Sequence, residues 1–189
     1  MTIPNYITLL RILLIPLFLG ALIYYDQSSG LNELYRLIAL WSFVIASICD
    51  GLDGFLARKL RQESQLGALL DPLADKALIL SAIITLSITN VPELYQLPLW
   101  FAIIIVSRDI LVTIGFAILH HVVRYYKVSP HWSGKTSTVF LMGTIIMILL
   151  KITWLPIDPF VYCTGALILY SGVVYILRGI RFVQDSGQA

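Results

Sequence analysis

The chain has 189 residues, of which 58% are apolar and 13% are charged, and its mean hydropathy is +0.85. The length suits a single domain over residues 1–189, but this composition excludes a soluble globular protein and predicts an all-α integral membrane protein. A net charge of only +2 indicates no nucleic-acid partner.

Apolar runs long enough to span a bilayer occur repeatedly along the chain. A helix needs about 20 apolar residues to cross the hydrocarbon core, and six runs qualify, at residues 8–25, 34–57, 68–90, 97–121, 136–155 and 159–180. The first run has no basic segment ahead of it and no clear small-residue cleavage site, so we interpret it as a span and not as a signal peptide. Short connections separate the runs, which predicts one bundle of six transmembrane helices.

The distribution of Lys and Arg predicts the orientation of this bundle. If the N-terminus faces the cytoplasm, only Arg36 and Lys151 fall on the outer side, while Lys76 and Arg108 lie inside spans. The remaining cations then lie on the cytoplasmic side: Arg11, Arg58, Lys59, Arg61, Arg124, Lys127, Lys135, Arg178 and Arg181. Both termini are therefore predicted to be cytoplasmic.

Two pairs of aspartates lie where the second predicted span ends and the third begins. Asp50 and Asp53 follow the i, i+3 spacing, and Asp71 and Asp75 follow the i, i+4 spacing, so each pair projects from one face of its helix. An isolated acid at the centre of a bilayer helix costs roughly 2.5–3.5 kcal/mol on insertion scales, and converging carboxylates would also repel one another. The pattern therefore predicts bound cations, in a cavity that is open to the cytoplasm.

The type of cation follows from the type of ligand. Carboxylate oxygens are hard ligands, and the stretch from Asp50 to Asp75 contains no His or Cys that would favour zinc, so we expect two ions of Mg²⁺ or Mn²⁺. Two such ions suit phosphoryl transfer, because they neutralise charge on a diphosphate. The alternative is that the acids form internal ion pairs with Arg58, Lys59 and Lys76.

The residues around these acids form a longer pattern, D-x2-D-G-x2-A-R-x8-G-x3-D-x3-D. The chain matches it without departure, at Asp50, Asp53, Gly54, Ala57, Arg58, Gly67, Asp71 and Asp75. This pattern resembles the signature of the CDP-alcohol phosphatidyltransferases, which are membrane enzymes of phospholipid synthesis. The resemblance implies that an alcohol attacks the phosphorus that carries the lipid group of CDP-diacylglycerol, and that CMP is released.

The resemblance also implies a role for each residue of the motif. Asp50, Asp53, Asp71 and Asp75 would bind the two metal ions, and Asp75 would also take the proton from the acceptor hydroxyl. The residues that would line the CDP site are Gly54, Ala57, Arg58 and Gly67. The resemblance further implies a homodimer. We expect it in a bacterial inner membrane, and the orientation predicted from Lys and Arg places its active site on the cytoplasmic side.

Residues outside the motif bear on the acceptor alcohol. Residues 3–11, IPNYITLLR, resemble the opening of the family branches that make phosphatidylglycerophosphate and cardiolipin. Arg108 is a cation inside a predicted span, which indicates function, and Lys135 begins the fifth span, where a helix N-terminus favours an anion. We expect both to bind the phosphate of the acceptor. An ion pair of Arg108 with Asp109 is not expected, because adjacent helix positions point apart, whereas a carboxylate on another helix is an alternative partner.

We predict glycerol 3-phosphate as the acceptor and phosphatidylglycerol as the alternative. The alternative stays open because this chain has Asp109, Ser137 and Leu141 where the phosphatidylglycerophosphate-forming branch usually has Glu, Lys and Gln. The main non-enzymatic hypothesis is a cation transporter. It predicts acids distributed along a pathway across the bilayer, whereas the four aspartates cluster towards one face.

Overall fold

The structure is a computed structural model, which describes the parts of the chain given below. The backbone is described for residues 3–28, 32–60, 65–89, 94–122, 132–152 and 155–186. The side chains are described for residues 6–28, 32–51, 74, 76–89, 94–115, 132–152 and 155–180.

The described backbone is all-α, as the sequence predicts. Its helices are α1 (Ile3–Gln27), α2 (Glu33–Leu60), α3 (Gln65–Ile88), α4 (Leu99–Val122), α5 (Trp132–Leu149) and α6 (Ile157–Ser186).

Local residues explain where α2 and α6 begin. Glu33 and Asp158 place negative charge in the first turns of α2 and α6, where the helix dipole favours it. Pro159 also lies in the first turn of α6, where a missing N–H breaks no helical bond.

Four helices are long and apolar enough to cross a membrane, judged on the described residues alone. They are the segments Tyr6–Gln27, Glu33–Gly51, Trp132–Leu149 and Ile157–Ile180. The described apolar part of α3, Lys76–Ile88, is shorter than a span. The membrane character is therefore supported by the fold, while the count of six spans stays a prediction.

Large apolar side chains are exposed on the surface of all six helices. Examples are Leu13, Trp41, Ile84, Ile103, Val139 and Val173, each more than 40% exposed. A soluble protein rarely exposes so much apolar surface. In a bilayer these side chains face lipid.

The described contacts divide the chain into two compact units. The first comprises residues 1–97 and 145–155. Within it, α1 packs against both α2 and α3, and α2 also contacts α3. The fully buried apolar side chains of this unit include Phe18, Leu22, Phe43, Leu78 and Ile83. The contacts bring together the two helices that carry the aspartate pairs.

The end of α5 differs from the predicted boundary at residue 155. The helix stops at Leu149 because Lys151 adopts a left-handed conformation, with φ of 51°. Lys151 N–H donates to the Ile148 carbonyl at 3.0 Å, and Ile152 N–H donates to the Met147 carbonyl at 3.4 Å. These two bonds form a Schellman motif, which usually has glycine at the position of Lys151.

An ionic cluster at the start of α2 holds this lysine in place. The Lys151 ammonium pairs with Glu33, and Arg36 contacts another oxygen of Glu33 at 2.5 Å. Arg36 Nη1 also donates to the Leu149 carbonyl at 2.5 Å, so it caps the C-terminus of α5. The two cations predicted for the outer side thus share one carboxylate and stabilise one helix end.

We expect Lys151→Gly to be more stable than Lys151→Ala by about 1 kcal/mol, because only alanine keeps the cost of a left-handed residue with a Cβ. Both variants lose the ion pair to Glu33, so their difference isolates the backbone conformation. Thermal unfolding of both proteins in the same detergent measures it. Equal stabilities would contradict the left-handed cap.

The second unit comprises residues 98–144 and 156–189, and α4 packs against α6 within it. Gly165 permits this close approach, because a Cβ there would lie 3.1 Å from the Trp100 ring. Trp100 also stacks on Tyr162, with ring centroids 5.5 Å apart. The buried hydroxyls of Thr144 and Thr164 lie 3.1 Å apart. Such hydrogen bonds join helices in an apolar environment, and this one joins α5 to α6.

Candidate active site

Asp50 is the one predicted metal ligand whose side chain the structure describes. Its Oδ1 lies 2.9 Å from Nη1 of Arg11 on α1. The Arg11 side chain is 0% exposed, whereas that of Asp50 is 35% exposed. The first carboxylate of the motif is therefore held by a fully buried guanidinium and remains partly accessible.

The helical hairpin explains why these two residues meet. The connection between Gln27 and Glu33 is short, so α1 and α2 run antiparallel, and Arg11 and Asp50 lie at similar distances from the connection. The Lys and Arg distribution predicts Arg11 only as a cytoplasmic charge and does not predict its pairing with Asp50. The available signal was a cation inside an apolar run, TLLRILL, because such a cation is costly in a membrane unless it is paired.

The side chains of the other motif residues lie outside the part of the chain that the structure describes. This applies to Asp53, Gly54, Ala57, Arg58, Gly67, Asp71 and Asp75. Their backbone positions are nevertheless on α2, which ends at Leu60, and on α3, which begins at Gln65. The described part of the chain contains no group of three or more potential metal ligands, since it includes only one acid of the motif. The convergence of the four carboxylates stays a prediction.

Two observations nonetheless fit a metal site. The motif supplies only carboxylate oxygens, which suit Mg²⁺ and Mn²⁺. The surface of α2 next to Asp50 is also open, because a Cβ built on Gly51 would have no atom within 4 Å. Among the described residues, none packs closely against the helix surface at this glycine.

Arg108 on α4 lies in the second unit, between the N-terminal turn of α5 and α6. Its Nη2 donates to Ser171 Oγ at 3.3 Å. A Cβ on Gly134 would lie 3.3 Å from the same nitrogen, and a Cβ on Gly172 would lie 3.4 Å from Arg108 Cγ. The two glycines therefore leave the space in which the arginine side chain lies.

The prediction that Arg108 does not pair with Asp109 is wrong. Arg108 Nη1 lies 2.7 Å from Asp109 Oδ1, and both side chains are mostly buried. Adjacent Cβ atoms do point apart, but the long arginine side chain curves back far enough for its guanidinium to reach the neighbouring carboxylate. Asp109 and Ser171 thus each hold one terminal nitrogen of Arg108.

A donor of Arg108 remains unused within the described residues. Its Nε is buried and has no hydrogen-bond partner there. Buried donors in proteins are nearly always satisfied, and the nearby N-terminus of α5 favours negative charge. The combination can bind an anionic oxygen.

Lys135 lies in the first turn of α5, directly after Gly134, and is exposed. The structure therefore places Arg108 beside the backbone turn that carries Lys135, although no contact joins the two side chains. Ser137 stands where the phosphatidylglycerophosphate-forming branch usually has Lys, and its buried hydroxyl donates to the Gly134 carbonyl at 2.9 Å. Leu141 is also buried, with 4% exposure.

Comparison with known proteins identifies similar chains. A family model described as CDP-alcohol phosphatidyltransferase matches residues 1–177. A probable phosphatidylglycerophosphate synthase of Mycobacterium tuberculosis is 34% identical over 94% of this chain and 81% of its own length. A CDP-diacylglycerol–glycerol-3-phosphate 3-phosphatidyltransferase of Haemophilus influenzae is 33% identical over 74% of this chain and 71% of its own. A cardiolipin synthase (CMP-forming) of Streptomyces coelicolor is 29% identical over 97% of this chain and 85% of its own.

Proposed function

Because this chain belongs to the CDP-alcohol phosphatidyltransferase family, we propose that it transfers the phosphatidyl group of CDP-diacylglycerol to glycerol 3-phosphate and releases CMP. The observation that carries this proposal is the match over most of the chain to relatives that are named for this reaction. The family consists of transferases, which argues against a cation transporter.

The proposed reaction is a single displacement at phosphorus. The acceptor hydroxyl attacks the phosphorus that carries the diacylglycerol, a new P–O bond forms, and the bond to CMP breaks. Asp75 takes the proton from the attacking hydroxyl, and CMP leaves with the bonding electrons. The reaction requires no covalent enzyme intermediate.

We assign metal binding to Asp50, Asp53, Asp71 and Asp75, which would hold two ions of Mg²⁺ or Mn²⁺. Bound there, the ions would neutralise the diphosphate and stabilise the charge of the transition state. Arg58 would bind the diphosphate or the cytidine, and Gly54, Ala57 and Gly67 would let the nucleotide approach the helix surfaces. The contact between α2 and α3 supports a site shared by the two helices.

We assign the acceptor phosphate to Arg108 and Lys135. Three features support this assignment: the Nε donor of Arg108, which has no hydrogen-bond partner among the described residues, the position of Arg108 beside Gly134 at the start of α5, and the exposure of Lys135. Together they offer two positive charges and a helix N-terminus to a phosphate dianion.

We further propose the membrane setting of the enzyme. All six helices would span the inner membrane of a bacterium, as a homodimer, with both termini and the active site on the cytoplasmic side. The antiparallel hairpin of α1 and α2 and the contact of Arg11 with Asp50 support part of this topology, because they place the first acid beside the N-terminal half of α1. Water-soluble glycerol 3-phosphate and membrane-bound CDP-diacylglycerol could then meet at one surface.

The direct test offers the purified protein CDP-diacylglycerol with either glycerol 3-phosphate or phosphatidylglycerol, and identifies the lipid product by mass spectrometry. We expect phosphatidylglycerophosphate and CMP with glycerol 3-phosphate, in the presence of Mg²⁺ or Mn²⁺ and not with excess chelator. Product formation that survives the chelator would contradict the metal assignment.

Cardiolipin synthase activity is the second candidate, because the Streptomyces coelicolor relative of that name matches nearly the whole chain. The sequence of Arg108-Asp109, where phosphatidylglycerophosphate synthases usually have Arg-Glu, and the absence of a second lysine at Ser137 also resemble the cardiolipin synthases. Cardiolipin formed from phosphatidylglycerol, with no product from glycerol 3-phosphate, would establish this candidate and refute the first.

We expect Lys135→Ala to raise the KM for glycerol 3-phosphate about tenfold with little change in kcat, because one charge-assisted hydrogen bond contributes roughly 1.5–3 kcal/mol. Initial rates at varied glycerol 3-phosphate measure the effect. Arg178→Ala is the matched control, since Arg178 is an exposed cation of α6 with no assigned role. A KM equal in both variants would show that another group binds the phosphate.

A further inference from the structure

We propose that Arg11 is a positioning residue for the metal site, which holds the Asp50 carboxylate in the orientation that binds the ion. The inference rests on the proposed function, because it presumes that Asp50 is a metal ligand. The observation that carries it is the contact of 2.9 Å between Arg11 Nη1 and Asp50 Oδ1.

The burial of Arg11 needs an explanation beyond stability. Its side chain is 0% exposed, on a helix whose segment Tyr6–Gln27 is long and apolar enough to span a membrane. A buried ion pair is often no more stabilising than apolar residues of similar volume, because desolvation offsets the attraction. Stability alone is therefore a weak reason for an arginine at this position. Control of the carboxylate it contacts is a stronger one.

The geometry shows how this control would work. An aspartate on a helix can rotate about two side-chain bonds, and a contact to one carboxylate oxygen restrains both rotations. The arginine is fully buried, whereas 35% of the Asp50 side chain is exposed, so the guanidinium approaches from the protein interior and leaves part of the carboxylate accessible. One oxygen contacts the guanidinium, and the exposed part of the carboxylate can bind a cation.

Metal sites commonly use this arrangement. Carboxylates that bind a metal are themselves hydrogen-bonded by outer groups, and loss of such a group typically lowers metal affinity by about 10–100-fold. Arginine suits the role because its guanidinium is always charged and presents its donors in a rigid plane. Its positive charge would also reduce repulsion among the four carboxylates before metal binds.

The test measures Mn²⁺ binding by electron paramagnetic resonance of the free ion, for the wild-type protein and for the Arg11→Gln and Arg11→Lys variants. This readout is independent of turnover. We expect Arg11→Gln to raise the Kd for Mn²⁺ about tenfold or more. Arg11→Lys keeps the charge without the planar fork, and its Kd should lie between the other two.

The matched control is Arg36→Gln. Arg36 also forms an ion pair in the first unit, with Glu33, but it has no assigned role in the site. We expect this variant to lower the Tm without changing the Kd for Mn²⁺. In the background of Asp50→Asn, Arg11→Gln should have little further effect on Mn²⁺ binding, because the arginine acts through Asp50.

The outcomes separate this inference from the proposed function. A wild-type Kd in the folded Arg11→Gln variant would show that Arg11 is only a structural ion pair, and tighter binding would show that it competes with the metal; either result overturns the inference alone. If Arg11→Gln does not fold, Arg11→Lys decides, and a wild-type Kd in that variant overturns the inference. A wild-type protein that binds no Mn²⁺ would refute the proposed metal site as well.

Discussion

Replacing Asp75 with Asn is expected to lower kcat at least about 10³-fold while CMP still binds. General base catalysis contributes roughly 10²–10⁴-fold, and the amide retains the size of the carboxylate but can neither accept the proton nor neutralise a cation equally well. The nucleotide should stay bound, because the residues assigned to the CDP site are unchanged. Single-turnover rates at saturating Mn²⁺ measure the loss, and equilibrium binding of CMP measures the retained site.

The control for this variant is Asp26→Asn, which makes the same chemical change near the C-terminus of α1, at the end of that helix opposite to Arg11. It should retain wild-type kcat. Near-normal turnover of Asp75→Asn would refute the assignment of Asp75 as the base. Loss of CMP binding together with turnover would instead assign Asp75 to nucleotide binding.

Replacing Arg108 with Gln is expected to lower kcat/KM for glycerol 3-phosphate about 100-fold. Each hydrogen bond to a charged group contributes roughly 1.5–3 kcal/mol, and the substitution removes the buried donor that we assign to the acceptor phosphate. It also leaves Asp109, which is 17% exposed, without its guanidinium. A buried unpaired charge destabilises a protein, so misfolding must be separated from lost binding.

The double variant Arg108→Gln with Asp109→Asn makes that separation. Removing both charges should restore much of the Tm that the single variant loses, while kcat/KM for glycerol 3-phosphate stays low. Asp109→Asn alone keeps the arginine and should have a smaller effect on kcat/KM. Recovery of activity along with stability in the double variant would show that Arg108 has only a structural role.

The sequence predicts the architecture well because apolar length is a strong local signal. Each predicted span corresponds to a helix, and both aspartate pairs lie on helices that contact each other. The boundaries of α5 differ because they depend on contacts that periodicity does not reveal. Trp132 already belongs to the helix, and Lys151 ends it through the cap and the ion pair with Glu33.

The side-chain partners of the site were harder to predict. The pairing of Arg11 with Asp50 joins residues far apart in sequence, and their alignment depends on the packing of α1 against α2. The pairing of Arg108 with Asp109 depends on the conformation of a long flexible side chain. Helical spacing fixes where Cβ atoms point, but it does not fix where a guanidinium ends.

Anomalous diffraction from crystals grown with Mn²⁺ and CMP tests most directly whether the four carboxylates converge on divalent ions. We predict two anomalous peaks, both within metal–ligand distance of carboxylate oxygens from Asp50, Asp53, Asp71 and Asp75. The Arg11 guanidinium should still contact the Asp50 carboxylate. Well-ordered carboxylates that point to different places, with no Mn²⁺ between them at saturating concentration, would contradict the account.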